Sequence, residues 1–313
     1  MDRVLITPRS LTSSPPPALA RLEKAGFELV FSAPGKIPDE NELLRLVPDC
    51  VGWLAGVEPV SERVIAAARR LRVISRNGSG VDSLPMAALE ARGIAVERAL
   101  GANATGVAEL ACAMMLAASR RLLETAEGVR ASGWPRLRGR EVEGTAVGIV
   151  GMGAIGRRVA SVMVAMGAEV LAYDPMEPAL GALAARVRYV PLEELLRAAG
   201  IVTLHCPMTS SGLPMIDAAI LEEMRPGAIL VNTARAGLID EAAVIAALEA
   251  EKLGCYATDV FAEEPPRDKR LSAHPRVIAT SHIGGFTDGS VTRATEAAVE
   301  NLLKHLAVQN ASA

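Results

Sequence analysis

The chain has 313 residues, of which 50% are hydrophobic and 22% charged, with a formal net charge of −3. At roughly 100–200 residues per domain this length asks for two domains, and the apolar content excludes a disordered chain. Acidic and basic residues are mixed along the whole length, so there is no basic stripe for nucleic acid or anionic lipid, and the expected partner is a small molecule.

Taken in chain order, MDRVLITPRS opens directly on a strand-like run and lacks the three regions of a signal peptide. Short apolar runs then alternate with segments of helical period: strands at Val4–Thr7, Leu29–Phe31, Gly52–Ala55 and Val73–Ser75, helices over 16–25, 40–47 and 61–69. A further strand at Ile94–Glu97 leads to a boundary near Gly101 and an alanine-rich helix over 105–121, expected to cross between domains. The rhythm resumes with strands at Ala146–Val150, Glu169–Tyr173, Ile201–His205, Ile229–Asn232, Cys255–Asp259 and Val277–Thr280, and helices over 154–166 and 240–250. A last helix over 288–309 follows Gly284-Gly285 and is expected to return to the first domain. The division predicted is 1–99 with 285–313, and 100–284.

No window holds the roughly 18 uninterrupted apolar residues that span a bilayer; even 107–119 carries Glu109 and runs into Arg120 and Arg121. A cytoplasmic protein without a membrane partner is expected. Cys50, Cys112, Cys206 and Cys255 lie dozens of residues apart and make no zinc-ligand spacing, so they read as buried reduced thiols and no metal is expected.

The strongest local signal is Gly151-Met152-Gly153-Ala154-Ile155-Gly156, between a strand and a helix. Gly151 permits the tight turn, Gly153 lets a pyrophosphate reach the backbone, and Gly156 lets helix and strand pack closely, with the helix N-terminus facing the anion. The following strand ends at Asp174, 18 residues beyond Gly156, close to the spacing of the acid that bonds the ribose hydroxyls. That carboxylate repels a 2′-phosphate, and neither Pro175 nor Met176 supplies an arginine to receive one, so the cofactor expected is NAD.

Arg235, Glu264 and His282 stand at or just beyond strand ends in the second half, where open α/β sheets bind ligands. In the segments VISRNGSGVDSLP (73–85), ANATGVAELACAMMLAASRR (102–121), GTAVGIVGMGAIGRRVA (144–160), LVNTARAGLIDEAAVIAAL (230–248), ATDVFAEEPP (257–266) and HPRVIATSHIGGF (274–286) the chain resembles the D-isomer-specific 2-hydroxyacid dehydrogenases. The resemblance covers most of 73–309 in order and is looser over 1–70.

It implies an α/β fold of two domains, a flavodoxin-like substrate domain and a Rossmann NAD-binding domain, and hydride transfer between nicotinamide and a small D-2-hydroxy acid. On it, His282 corresponds to the general acid/base, Glu264 to its carboxylate partner and Arg235 to the arginine that binds the substrate carboxylate. Ser79, Gly80 and Arg76 correspond to further substrate contacts, the Asn77–Gly80 turn acting as an anion nest. Ala154, Ile155, Thr233, Asp259, His205 and Pro207 join the glycines and Asp174 around the cofactor, with Asp259 near the nicotinamide amide. His205, His274 and His305, which have no charged partner at motif distance, read as structural histidines, His205 one that also lines the cofactor site. The resemblance also implies a homodimer through the NAD-binding domain, using the region after the alanine-rich helix.

Two departures bear on the substrate. The motif around Arg235 has Ala236 where glycine is usual, a mild change. Phosphoglycerate-oxidising members often carry an arginine in the loop matching Ala55–Glu58, where this chain has an acid, while Arg76 keeps a basic contact. Oxidation of 3-phosphoglycerate and reduction of hydroxypyruvate or glyoxylate therefore both stand, with formate oxidation a distant third. A non-catalytic NAD-sensing corepressor is the alternative of another class; such regulators commonly add disordered extensions, and none is expected here. No C-terminal regulatory domain is expected.

Overall fold

The structure, a computed structural model, describes residues 1–209 and 211–310. It divides into two compact units, one of Met1–Asn103 with the chain from Gly285 onward, the other of Ala104–Gly284.

The first unit runs β1 (Arg3–Ile6), α1 (Arg9–Ser13), α2 (Ala20–Lys24), β2 (Glu28–Phe31), α3 (Glu40–Leu46), β3 (Cys50–Ala55), α4 (Glu62–Ala67), β4 (Val73–Arg76), α5 (Met86–Ala91) and β5 (Ala95–Arg98). The strands form one parallel sheet in the order β2-β1-β3-β4-β5, the flavodoxin-like order. Side chains alternate across it as strand geometry requires. Leu5, Trp53 and Ile74 join Leu43, Ile65 and Leu89 of α3, α4 and α5 on one face, and Val4, Ile6, Leu54 and Val73 line the other. Asp39 and Ser61 cap α3 and α4 by accepting from the backbone N–H of Glu42 and Val64.

The second unit runs α6 (Ala104–Ser119), α7 (Leu122–Arg130), β6 (Ala146–Val150), α8 (Ala154–Ala165), β7 (Glu169–Tyr173), β8 (Val187–Tyr189), α9 (Leu192–Ala198), β9 (Ile201–Leu204), α10 (Ala218–Glu223), β10 (Ala228–Asn232), α11 (Glu241–Glu249), β11 (Leu253–Thr258) and β12 (Val277–Ala279). Its seven strands are all parallel in the order β12-β11-β10-β9-β6-β7-β8. That is a Rossmann sheet, and the strand order reverses between β6 and β9, where ligands of such sheets bind. Along β10, Ile229 and Val231 pack in the core that holds α6 and α8, while Ala228 and Leu230 pack in the core of α9, α10 and α11.

α12 (Asp288–Asn310) closes the first unit. Its Ala298, Val299, Leu302 and Leu306 complete the apolar core on the Val4 face. A Cβ at Gly52 would sit 3.1 Å from the Leu306 side chain and 3.2 Å from that of Leu302, so a glycine lets helix and strand approach.

The strands expected from sequence all form, within a residue or two at their ends. The alanine-rich helix stops at Ser119 rather than 121, because Arg121 takes a left-handed φ of 50° and α7 starts beyond it. Helices α1, α5, α7, α9 and α10 and strand β8 were not anticipated; most are of seven residues or fewer, too short to show a period. Among the described residues, no helix is long and apolar enough to cross a membrane.

Candidate active site

Parallel strands bring their C-terminal ends to one edge of a sheet, and the edge of the second sheet collects most of the polar residues singled out from sequence. After β6, Gly151 takes a φ of 96°, and a Cβ there would lie 2.7 Å from the His205 carbonyl group that follows β9. Only glycine fits this turn between two strand ends. Gly156 is buried in the first turn of α8, where a Cβ would come within 2.0 Å of the Gly151 carbonyl oxygen. Gly153 differs: it is exposed, its φ of −72° is open to any residue, and beyond its chain neighbours no heavy atom of the described residues lies within 4 Å of a Cβ position. Ala154 and Ile155 follow it as the first turn of α8.

Asp174, just past β7, uses both carboxylate oxygens locally: one accepts from Met152 N at 2.8 Å, the other from Met176 N at 3.0 Å. It therefore holds the glycine turn as well as marking the strand end. The His205 imidazole is held by Nε2 against the Thr203 hydroxyl at 3.0 Å, and burial pushes its pKa down to about 3, so the ring is neutral. Among the described residues, neither its buried Nδ1 nor the buried hydroxyl of Thr233, beyond β10, has a hydrogen-bond partner. Pro207 is exposed.

Beyond β12, His282 adopts a φ of 57°, a left-handed conformation uncommon outside glycine. The strain is held by Asp259, 2% exposed at the end of β11. One Asp259 oxygen accepts from Ile283 N at 2.8 Å and from the Thr280 hydroxyl at 2.6 Å, the other from Gly284 N at 2.8 Å. The His282 ring is half exposed and donates Nδ1–H to both oxygens of Glu264, at 2.8 and 3.0 Å. Nε2 is thus the nitrogen left to exchange a proton.

The bond to Glu264 raises the His282 pKa above its ordinary value against partial burial; the charges of Glu264 and Asp259 add to the rise and that of Arg235 opposes it. Burial alone would raise Glu264, but the bond and the charge from His282 outweigh it and hold that carboxyl low. Arg235 is half buried, its NH1 donating to the Ala234 carbonyl at 2.7 Å. The structure therefore brings Arg235, Asp259, Glu264 and His282 into one electrostatic neighbourhood.

Arg76 ends β4 in the first unit, and Ser79 and Gly80 follow it. Arg76 is 6% exposed and its Nε donates to the Gly80 carbonyl at 2.8 Å, so the side chain braces the 76–80 turn. The Ser79 hydroxyl donates to the Ala99 carbonyl at 3.4 Å. In the loop after β3, the Glu58 carboxylate is 2% exposed and accepts from the Thr7 hydroxyl and, at 3.0 Å, from Gly56 N. The acid noted in that loop from sequence points inward.

Residues 112–284 match the family model "D-isomer specific 2-hydroxyacid dehydrogenase, NAD binding domain". The chain belongs to the D-isomer-specific 2-hydroxyacid dehydrogenase family. It is similar to D-3-phosphoglycerate dehydrogenase of Mycobacterium leprae, 36% identical over 86% of this chain and 52% of that protein. Hydroxypyruvate reductase of Thermotoga maritima is 33% identical over 86% of this chain and 89% of its own. The crystal structure of the TT0316 protein of Thermus thermophilus superposes with a TM-score of 0.86 at 35% identity, covering 97% of this chain and 96% of the other. The chain spans about half the length of the phosphoglycerate dehydrogenases that it matches.

The NAD-binding domain of this family member fits its cofactor on its own residues. Open space over Gly153 at the start of α8 gives a diphosphate access to backbone N–H groups, and the orphaned His205 Nδ1 and Thr233 hydroxyl mark the neighbouring strand ends as places where a ligand's polar groups are wanted. Sequence reasoning did not see the bracing roles: Asp174 on Met152, Asp259 on the His282 turn, and Asn232, whose amide bonds the turn that leads to Arg235. The available signal was an Asn or Asp at a strand end shortly before a key residue, since such side chains hydrogen-bond nearby backbone.

Proposed function

We propose that the chain is an NAD-dependent oxidoreductase that interconverts a small D-2-hydroxy acid and its 2-keto acid. The observation that carries this is the His282–Glu264 pair: an imidazole with raised pKa, oriented through Nδ1 by a carboxylate, with Nε2 left for proton exchange and the Arg235 charge close enough to oppose its protonation. Bound NAD supplies the hydride acceptor or donor. His282 takes the C2 hydroxyl proton in oxidation and returns it in reduction, Glu264 orients the ring and stabilises its charge, and Arg235 holds the substrate carboxylate by its planar fork.

Gly151, Gly153, Ala154, Ile155 and Gly156 are assigned to the diphosphate, Asp174 to the adenosine ribose, and His205, Pro207, Thr233 and Asp259 to the rest of the cofactor. Ser79, Gly80 and Arg76 are assigned to the substrate carboxylate, Arg76 through the turn that it braces. In this reading 1–99 with 285–313 is the substrate domain and 100–284 the NAD-binding domain. Two such chains associate through the NAD-binding domain in the cytoplasm, without nucleic acid or membrane. Exposed Leu122, Leu123 and Val129 of α7, a helix with no buried residue, and Trp134 at 82% exposure support that association.

Between substrates, the inward Glu58 and the braced Arg76 favour an unphosphorylated acid, as in hydroxypyruvate or glyoxylate reduction, over 3-phosphoglycerate. The test is NADH consumption by the purified chain across phosphohydroxypyruvate, hydroxypyruvate, glyoxylate, pyruvate and branched 2-keto acids. One clear preference is expected among the unphosphorylated acids. A preference for phosphohydroxypyruvate overturns the substrate reading, and NADH binding without turnover on any acid favours a nucleotide sensor.

A further inference from the structure

We infer that Asn232 is a positioning residue that sets Arg235 and His282 in register, its side chain acting on one and its backbone on the other. Asn232 is fully buried at the end of β10. Its Oδ1 accepts from Ala234 N at 3.0 Å, and its Nδ2 donates to the Arg235 carbonyl at 2.8 Å and approaches the Tyr256 hydroxyl at 3.5 Å. One planar amide thus satisfies an N–H and a C=O of the same turn, which fixes the backbone from which the Arg235 side chain departs. The task needs a donor and an acceptor on one short side chain. Aspartate offers acceptors only, and glutamine is a carbon longer.

The Asn232 backbone carbonyl faces the next strand, where it accepts from Asp259 N at 3.1 Å and from the Thr258 hydroxyl at 3.3 Å. Asp259 in turn bonds Ile283 N and Gly284 N, the two amides that follow His282. A run of buried and part-buried hydrogen bonds therefore leads from the Arg235 backbone through Asn232 and Asp259 to the two residues that follow the left-handed His282. A substrate that meets a guanidinium at one end and an imidazole at the other depends on their spacing, and small misplacements of such groups are costly to rate.

The inference rests on the reading of Arg235 as the substrate-carboxylate residue, and a double-mutant cycle separates the two. With hydroxypyruvate as probe, kcat and KM are measured for Asn232→Ala, Asn232→Asp, Arg235→Ala and the two double variants, with NADH affinity and thermal melts for each. The expected result is a tenfold or greater loss of kcat/KM for each Asn232 variant, mostly in KM, with NADH affinity within threefold of the parent. In the Arg235→Ala background the same changes should cost less than twofold, because the group being positioned is gone.

Equal losses in both backgrounds make Asn232 a plain structural residue and overturn the inference, as does full activity of Asn232→Asp. Should Asn232→Ala fail to fold, Asn232→Asp, which keeps size and the acceptor for Ala234, carries the test. An Arg235→Ala variant as active as the parent refutes the Arg235 reading itself, an outcome visible before any Asn232 variant is compared.

Discussion

Gly153 and Gly156 stand three residues apart in one motif, yet the structure gives a methyl group at each a different fate. At Gly153 the backbone is extended and the space is open, so an alanine methyl meets none of the described residues beyond its chain neighbours. The cost of alanine in place of glycine at a helix N-cap, a few tenths to about 1 kcal/mol, is offset by about 0.4–1 kcal/mol from the stiffer unfolded chain. Gly153→Ala should therefore melt within about 2 °C of the parent. Its methyl would stand where a diphosphate approaches the N–H groups of α8. Losing one hydrogen bond to a charged oxygen costs about 1.5–3 kcal/mol, which weakens NADH binding by about 10- to 100-fold.

Gly156→Ala instead places its Cβ 2.0 Å from the Gly151 carbonyl, and helix and turn must part. Overpacking of that kind costs about 3 kcal/mol, or about 6–12 °C in a chain of this class. The assays are NADH fluorescence titration and thermal melting of the two variants side by side. Normal NADH affinity in Gly153→Ala would falsify the placing of the diphosphate. Equal destabilisation by both substitutions would show that the space above Gly153 is filled.

Glu264→Gln removes the charge that raises the His282 pKa, so the pKa should fall. Reduction of a keto acid needs the protonated imidazole, which is present below the raised pKa and lost as pH rises through it. The alkaline limb of the reduction profile should therefore move to lower pH in the variant, and an unmoved limb would detach Glu264 from proton transfer. Near neutral pH, kcat/KM should fall about 10- to 100-fold, the worth of a hydrogen bond to a charged group. Asp174→Ala should weaken NADH binding about tenfold or more, since the Met152 N–H loses its acceptor, and should narrow the preference over NADPH; titration with both dinucleotides decides it, and an unchanged preference moves discrimination elsewhere. Trp134→Ser with Leu123→Glu should shift the sedimentation coefficient from dimer toward monomer, whereas a parent that sediments as a monomer removes the proposed association.

What could be read from the sequence was whatever leaves a period or a fixed spacing. Runs such as Ile229–Asn232 and Ala146–Val150 are almost wholly apolar because both faces of a parallel sheet are covered, and they announce themselves. The glycine motif and Asp174 are legible because turn geometry ties residue type to position. Helices α5, α9 and α10, with six or seven residues each, offer fewer than two turns of pattern and owe their helicity to packing against the sheets. Bracing by Asp259 and Asn232 was hidden for a different reason. The bonds by which each braces its turn are to backbone groups, which every residue carries, so no partner residue type in the turn marks the contact in the sequence.

The same contrast explains how the site keeps its geometry. Glu264 and His282 are half exposed, and an ion pair between exposed side chains holds two groups together only weakly. What fixes His282 is the turn on which it sits, bonded through buried Asp259, and what fixes the Arg235 turn is buried Asn232. Charge-assisted bonds from backbone N–H groups to a buried carboxylate are short, and leaving one unmade is costly, so they can hold a left-handed histidine that would otherwise relax. In the proposed function, proton exchange at Nε2 calls for an accessible imidazole, and a reproducible distance to Arg235 calls for a rigid backbone. The fold meets both by leaving the Glu264 and His282 side chains half exposed while burying Asp259 and Asn232, which hold the main chain.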